Sequence, residues 1–183
     1  MTMKKLEIVE FGDPLLRETA EKVSVSSIKS VEFQKLIDDI RNHLVSKKLG
    51  VGLAAPQIGK SMALSVIAIR PTEHRPTVKE FDLVIINPSY KGVGDKEDMW
   101  EGCISSGDGQ AGLFGKVPRY KKVQATFWDE NGQKHKEQFS GLPAQVIQHE
   151  TDHLNGILFV DKVADSKTYM TLSEYRKRIT PKK

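Results

Sequence analysis

Apolar residues recur at Phe33, Leu36, Ile37, Ile40 and Leu44, a three- and four-residue spacing that predicts a one-faced helix over Val31–Val45. Beyond it the period shortens. Met62–Ile69, Leu83–Ile86, Val123–Trp128 and Lys134–Phe139 are rich in β-branched and aromatic side chains and read as strands. Asp129-Glu130-Asn131-Gly132 separates the last two, and its Asn-Gly pair marks a hairpin turn. A second apolar face, Ala144, Val146, Ile147 and Leu154, predicts a short, largely buried helix from Pro143 to Leu154. Proline suits its first turn, and Asn155-Gly156 supplies a left-handed stop. Ile157–Val160 reads as a further strand, Thr171–Ile179 as a short helix, and Thr72–Thr77, between Pro71 and Pro76, as an exposed loop. These elements describe an α+β chain without internal repeats.

With 183 residues, 38% of them apolar, the chain is one domain with a substantial core. No run approaches the roughly 18–20 apolar residues that span a bilayer. Glu7 and Glu10 interrupt any export-signal core near the start, and a single cysteine excludes an internal disulfide, so a reducing cytoplasm is the expected location. Charge divides the chain into a body, 1–166, and a tail, 167–183. Six basic residues against Glu174 give the tail +5, which leaves −1 for the body of a chain at +4. Such a tail is either a solvated end or a patch that attracts RNA phosphates.

The buried helix changes the picture, because it carries His149-Glu150-Thr151-Asp152-His153. Residues four apart share a helix face, so both imidazoles can reach one cation while Glu150 stands beside it as a general base. Such a cation acidifies a water molecule, which is hydrolytic chemistry. Two histidines leave a tetrahedral site one protein ligand short. His43, His74, His135 and Cys103 remain; His74 lies in the exposed loop, and Cys103 is either a small core residue or the third ligand. A competing pattern, Ala54-x-x-x-x-Gly59-Lys60-Ser61, fits a relaxed phosphate loop but runs into a strand where that motif requires a helix. Lys60-Ser61 therefore reads as a solvated turn.

Three blocks together resemble the peptide deformylase family: Gly50 through Gln57 (GVGLAAPQ), Glu101 through Ser105 (EGCIS) and Gln148 through Gly156 (QHETDHLNG). Gly12 through Arg17 is similar to the family's opening segment, and the likeness runs from about residue 5 to residue 163. The resemblance implies antiparallel and mixed sheets around the H-E-x-x-H helix, residues 1–166 forming the catalytic domain. It implies removal of the formyl group from N-terminal formylmethionine of nascent polypeptides. Cys103, His149 and His153 would hold one divalent metal, Fe2+ natively and Zn2+ or Ni2+ after purification, with Glu150 as acid and base. Gln57 and the backbone N–H of Ile104 would serve the developing oxyanion. Gly50 and Gly52 would let the loop backbone lie against the peptide, while Val51, Leu142 and Val146 would line the methionine pocket; composition alone would make those three core. Glu101 would pair with Arg119 and brace the loop. The expected partners are formylmethionyl nascent chains and, through the basic tail, the ribosome, for a monomer with no membrane contact.

One stretch departs from the family pattern. Residues 106–116 are longer and glycine-rich, with glycines at 107, 109, 112 and 115, and lack an expected arginine. This admits a deformylase-like protein of altered or weakened substrate specificity. Two readings of other classes also stand: a zinc peptidase that needs no Cys103, and a non-catalytic RNA- or ribosome-binding protein.

Overall fold

The computed structural model describes residues 6–46, 50–107 and 112–179. Helix α1 (Val31–Ser46) buries Phe33, Ile37, Ile40 and Leu44, the face its periodicity predicts. The strands are β1 (Gly52–Ala54), β2 (Leu64–Ile69), β3 (Phe81–Gly102), β4 (Leu113–Trp128), β5 (Lys134–Ser140) and β6 (Met170–Thr171). They form one sheet in the order β1-β2-β3-β4-β5, with β6 added to β4, and every ladder is antiparallel. Helix α2 (Gly141–Leu154) lies against this sheet, and the short α3 (Leu172–Ile179) follows β6.

Strand β2 is buried along its whole length, and its alternation explains how. Leu64, Val66 and Ala68 point into the core shared with α1, whereas Ile67 and Ile69 point into the core shared with Ala144, Val146 and Ile147 of α2. Successive side chains of a strand face opposite ways, so one six-residue strand anchors both helices. Val84 and Ile86 of β3 repeat the α1 side, and Ile85 the α2 side.

Several expected elements differ. Strands β3 and β4 extend far beyond Leu83–Ile86 and Val123–Trp128, because their extra residues pair mainly with each other. Lys91 through Asp98 are largely solvent-facing, so no buried face imposes an apolar rhythm there. Helix α2 begins at Gly141, two residues before Pro143, which still occupies the first turn, where no amide donor is needed. The strand expected at Ile157–Val160 is absent. Leu158 N donates to Asp161 Oδ2 at 2.8 Å and Asp161 N to Leu158 O at 3.0 Å, folding Phe159–Lys162 into a 3-10 turn. Local side-chain bonds of this kind compete with strand pairing.

The end of α2 is fixed by a glycine. Gly156 has φ +70°, Ile157 N donates to Asp152 O (3.0 Å) and Gly156 N to His153 O (3.2 Å), the paired bonds of a Schellman stop. A side chain at Gly156 would collide with the Arg17 carbonyl. Gly156→Ala should therefore destabilise the fold by about 1–3 kcal/mol, read as a lower urea midpoint with unchanged slope.

Candidate metal centre

Cys103 follows β3 in extended conformation and opens the 3-10 turn Ile104–Ser106, while His149, Glu150 and His153 project from α2. Fifty residues separate the sulfur from the far histidine, yet Cys103 Sγ lies 3.2 Å from His153 Nε2, which lies 3.2 Å from His149 Nε2. All three donor atoms fall within 4.8 Å of one another. Bonds of about 2.0–2.3 Å to a tetrahedral ion would separate its donors by roughly 3.3–3.6 Å. One thiolate and two imidazoles suit a borderline or soft divalent metal. With the thiol deprotonated each atom offers a lone pair at this spacing, so the donor set fits an ion. Among the described residues this is the group of Cys, His and carboxylate side chains so placed.

One of the candidate ligands, His149, is aimed by a neighbour. His149 Nδ1 lies 3.0 Å from Glu101 Oε2, which fixes the ring and leaves Nε2 toward the sulfur. Burial opposes charge on His149, but the Cys103 sulfur and the Glu101 carboxylate hold it well above its usual range. Burial and the neighbouring His149 drive His153 well below. Glu101 itself is 5% exposed. Burial would raise its carboxyl, yet Arg119 and His149 draw it down to about 2.

Arg119 is the centre of a buried network. Its Nε and Nη2 donate to the two oxygens of Glu101 at 2.7 and 2.9 Å, and its Nη1 donates to Asp152. Lys162 Nζ donates to the other Asp152 oxygen at 2.7 Å. The end of β3 is thus clamped to α2 by two carboxylates and two cations. Gln148 adds a neutral clamp, accepting from Tyr120 N at 3.0 Å and donating to Tyr120 O at 2.9 Å. The expected pairing of Glu101 with Arg119 is present. Asp152, Lys162 and Gln148 escaped the sequence reading; the available signal was polar residues on the inward faces of an apolar-flanked helix.

Glu150 is 2% exposed, its Oε2 has no hydrogen-bond partner among the described residues, and burial pushes its carboxyl up to about 7. Gly52 makes room for it: a Cβ there would overlap the Glu150 carboxylate. Gln57 is buried in the 3-10 turn Ala55–Ile58. Its Oε1 accepts from Ala54 N at 2.9 Å, which turns Nε2 toward Cys103 Sγ (3.3 Å) and Ser105 Oγ (3.2 Å). An N-terminal strap holds both turns, Val9 N donating to Gln57 O and Phe11 N to Ser105 O at 2.8 Å each.

These groups open into one cleft of about 600 Å³, within the range of small-ligand sites. Gly50, Val51, Gly52, Gln57, Glu101, Cys103, Ile104, Leu142, Val146, His149 and Glu150 all line it, with His153 behind them. The loop at 72–77 is less exposed than expected, since Thr72, His74 and Arg75 also face the cleft. His43 sits on α1 and His135 lies between Asp129 and Glu137, both outside the donor group. Lys60-Ser61 is a turn leading into β2, without the helix a phosphate loop needs. In the glycine-rich stretch, residues 108–111 lie outside the described residues, while Gly107 and Gly112 line the cleft.

The family model for polypeptide deformylase matches residues 5–169. Peptide deformylase 2 of Nostoc sp. is 35% identical over 182 residues, 98% of each chain. The peptide deformylase of Leptospira biflexa is 39% identical over 166 residues, 89% of this chain and 90% of the relative. Among solved structures, the class I type b peptide deformylase from Acinetobacter baumannii bound to Met-Ala-Ser superposes with TM-score 0.81 at 31% identity, over 88% of this chain and 100% of the other. The Synechococcus elongatus peptide deformylase in complex with actinonin gives TM-score 0.75 at 35% identity, over 97% and 90%.

The network has a stability consequence. Arg119→Ala would leave Glu101 and Asp152 as buried, under-compensated anions and should cost about 3–5 kcal/mol. Lys121→Ala, which breaks an exposed pair with Glu97, should cost less than about 1 kcal/mol. Denaturant unfolding of the metal-loaded proteins compares the two.

Proposed function

The chain belongs to the polypeptide deformylase family, and from that membership we propose how its residues divide the work of releasing formate from N-formylmethionyl polypeptides. It is a metal-dependent hydrolase of protein biosynthesis, and the likeness across nearly the whole chain favours deformylation over an altered substrate. Cys103, His149 and His153 are its metal ligands, with iron(II) the native ion and zinc or nickel as substitutes. When bound, the ion supplies Lewis acidity at the formyl group and lowers the pKa of a water.

Glu150 takes the proton of the attacking water and delivers it to the amine nitrogen as the carbon–nitrogen bond breaks. A carboxyl poised at about 7 by burial suits both transfers near neutral pH. The Gln57 side-chain amide and the Ile104 backbone N–H donate to the carbonyl oxygen as charge grows on it, each worth about 3 kcal/mol. Val51, Leu142 and Val146 take the methionine side chain, while Gly50 and Gly52 let the peptide backbone approach. The observation that carries this reading is the convergence of one sulfur and two imidazole nitrogens beside a buried carboxylate.

The protein acts as a cytoplasmic monomer in this reading. Among the described residues no helix is long and apolar enough to cross a membrane. Lys177 and Arg178 are exposed on α3 and give the tail a basic outer face toward ribosomal RNA.

Three substitutions separate the roles, each scored by formate release from a formylmethionyl peptide and by metal content of the same sample. Glu150→Gln should lower kcat at least about 100-fold with metal retained; activity near wild type would remove Glu150 from the mechanism. Cys103→Ala should lose both metal and activity, whereas retained metal would favour the peptidase reading. Gly52→Ala should displace the Glu150 carboxylate and lower kcat by about 100-fold without releasing the ion.

A further inference from the structure

The cleft continues outward past the metal centre, and its outer walls come from two distant parts of the chain. One is the loop after β2, contributing Thr72, His74 and Arg75; the other is α3, contributing Leu172, Tyr175 and Arg176. The helix is held there firmly. Tyr175 stacks on Phe114 with centroids 4.4 Å apart and planes 15° apart, Trp100 packs at 5.7 Å, and Leu172 is buried. Leu172 N also donates to Gly112 O at 2.8 Å. The tail is thus a wall of the cleft as well as a basic segment.

Among the described residues the outer wall differs in charge from the metal end. The acidic groups of the cleft, Glu101 and Glu150, belong to the metal end, and Glu101 is already bound by Arg119. The loop after β2 adds Arg75 to the outer wall. Arg17, Arg41, Arg70 and Arg119 each pair with an acid. Arg75 has no such partner among the described residues: its Nε donates to the Arg70 carbonyl at 3.1 Å, and Tyr175 is the group that acts on it electrostatically. A partly buried guanidinium whose printed bond is to a carbonyl, with no carboxylate partner among the described residues, has an unmet preference. Its remaining N–H groups form the planar fork that binds a carboxylate through two parallel hydrogen bonds.

We propose that Arg75, set opposite Tyr175 and Arg176 of α3, is a specificity determinant that binds a carboxylate carried by the substrate peptide downstream of its formylmethionine. The proposal rests on the deformylase reading, since the peptide enters with its formyl end at the metal. The carboxylate comes either from an acidic side chain or from the free C-terminus of a short peptide. Partial burial strengthens the pair relative to one in water.

The test uses metal-loaded, full-length protein and two peptide sets. In the first, amidated formyl-Met peptides carry Asp or its neutral isostere Asn at the second, third or fourth residue. In the second, formyl-Met-Ala-Ser is compared as free acid and as amide. The expected result is about a tenfold preference in kcat/KM for the carboxylate peptide, expressed in KM, at one position of the first set or in the second set. Whichever set shows it identifies the source. The preference should fall toward one as salt rises, a readout that needs no variant. In Arg75→Gln it should vanish, and in Arg75→Lys it should survive only in part; being a ratio, it is insensitive to a general loss of activity. A ratio near one in both sets, or the same ratio in wild type and Arg75→Gln, overturns the proposal. No formate from any peptide overturns the deformylase reading itself, a separate outcome.

Discussion

The candidate metal centre depends on one buried guanidinium. Arg119 is 1% exposed and donates to Glu101 and Asp152 at once, so the strand that leads to Cys103 and the helix that carries both histidines share a single cation. Glu101 in turn orients His149, and Asp152 takes a second charge from Lys162. Two carboxylates and two cations nearly cancel, which makes burial tolerable; removing Arg119 leaves carboxylate charge that water cannot reach. The orientation of His149 is therefore set by groups outside the candidate donor set.

Space is controlled as tightly as charge. Glu150 reaches its position because residue 52 has no side chain, and the Phe114 ring lies where a side chain at Gly102 would stand. Both glycines sit next to functional groups, Gly52 on β1 and Gly102 one residue before Cys103. Beneath them the sheet supplies rigidity. With β2 buried on both faces between α1 and α2, neither helix can shift without repacking the other core. The cleft thus has a stiff inner end, suited to holding reacting groups in register.

The outer end has a different construction. Its walls are a loop and a tail helix, joined through Tyr175, Phe114 and Trp100. Aromatic contacts of this kind contribute roughly 0.5–1.5 kcal/mol apiece beyond their buried area, enough to seat an eight-residue helix that would not persist alone. The same docking gives the basic tail two faces, with Tyr175 and Arg176 toward the cleft and Lys177 and Arg178 toward solvent.

Local periodicity carried much of this molecule. The faces of α1 and α2, the β5 hairpin and the Gly156 stop follow from side-chain spacing and backbone sterics, which act over a few residues and so are written in short segments. His149, Glu150 and His153 were legible for the same reason, since four residues span one helical turn. Cys103 was ambiguous by spacing alone and became a candidate ligand through resemblance of its flanking block. The solvent-facing middle of β3 left no pattern because neither face is buried there, the added length of β4 buries a glycine and an arginine beside Val117 and so lacks an apolar rhythm, and Phe159–Lys162 turned away from strand geometry through the Asp161 side chain. Only the tertiary structure decided that Asp152 and Lys162 share charge with Arg119, that Gly52 is a space for Glu150, and that Arg75 and the tail helix line one cleft. These are contacts between residues far apart in the chain, fixed by which surfaces pack together, and no local rule encodes them.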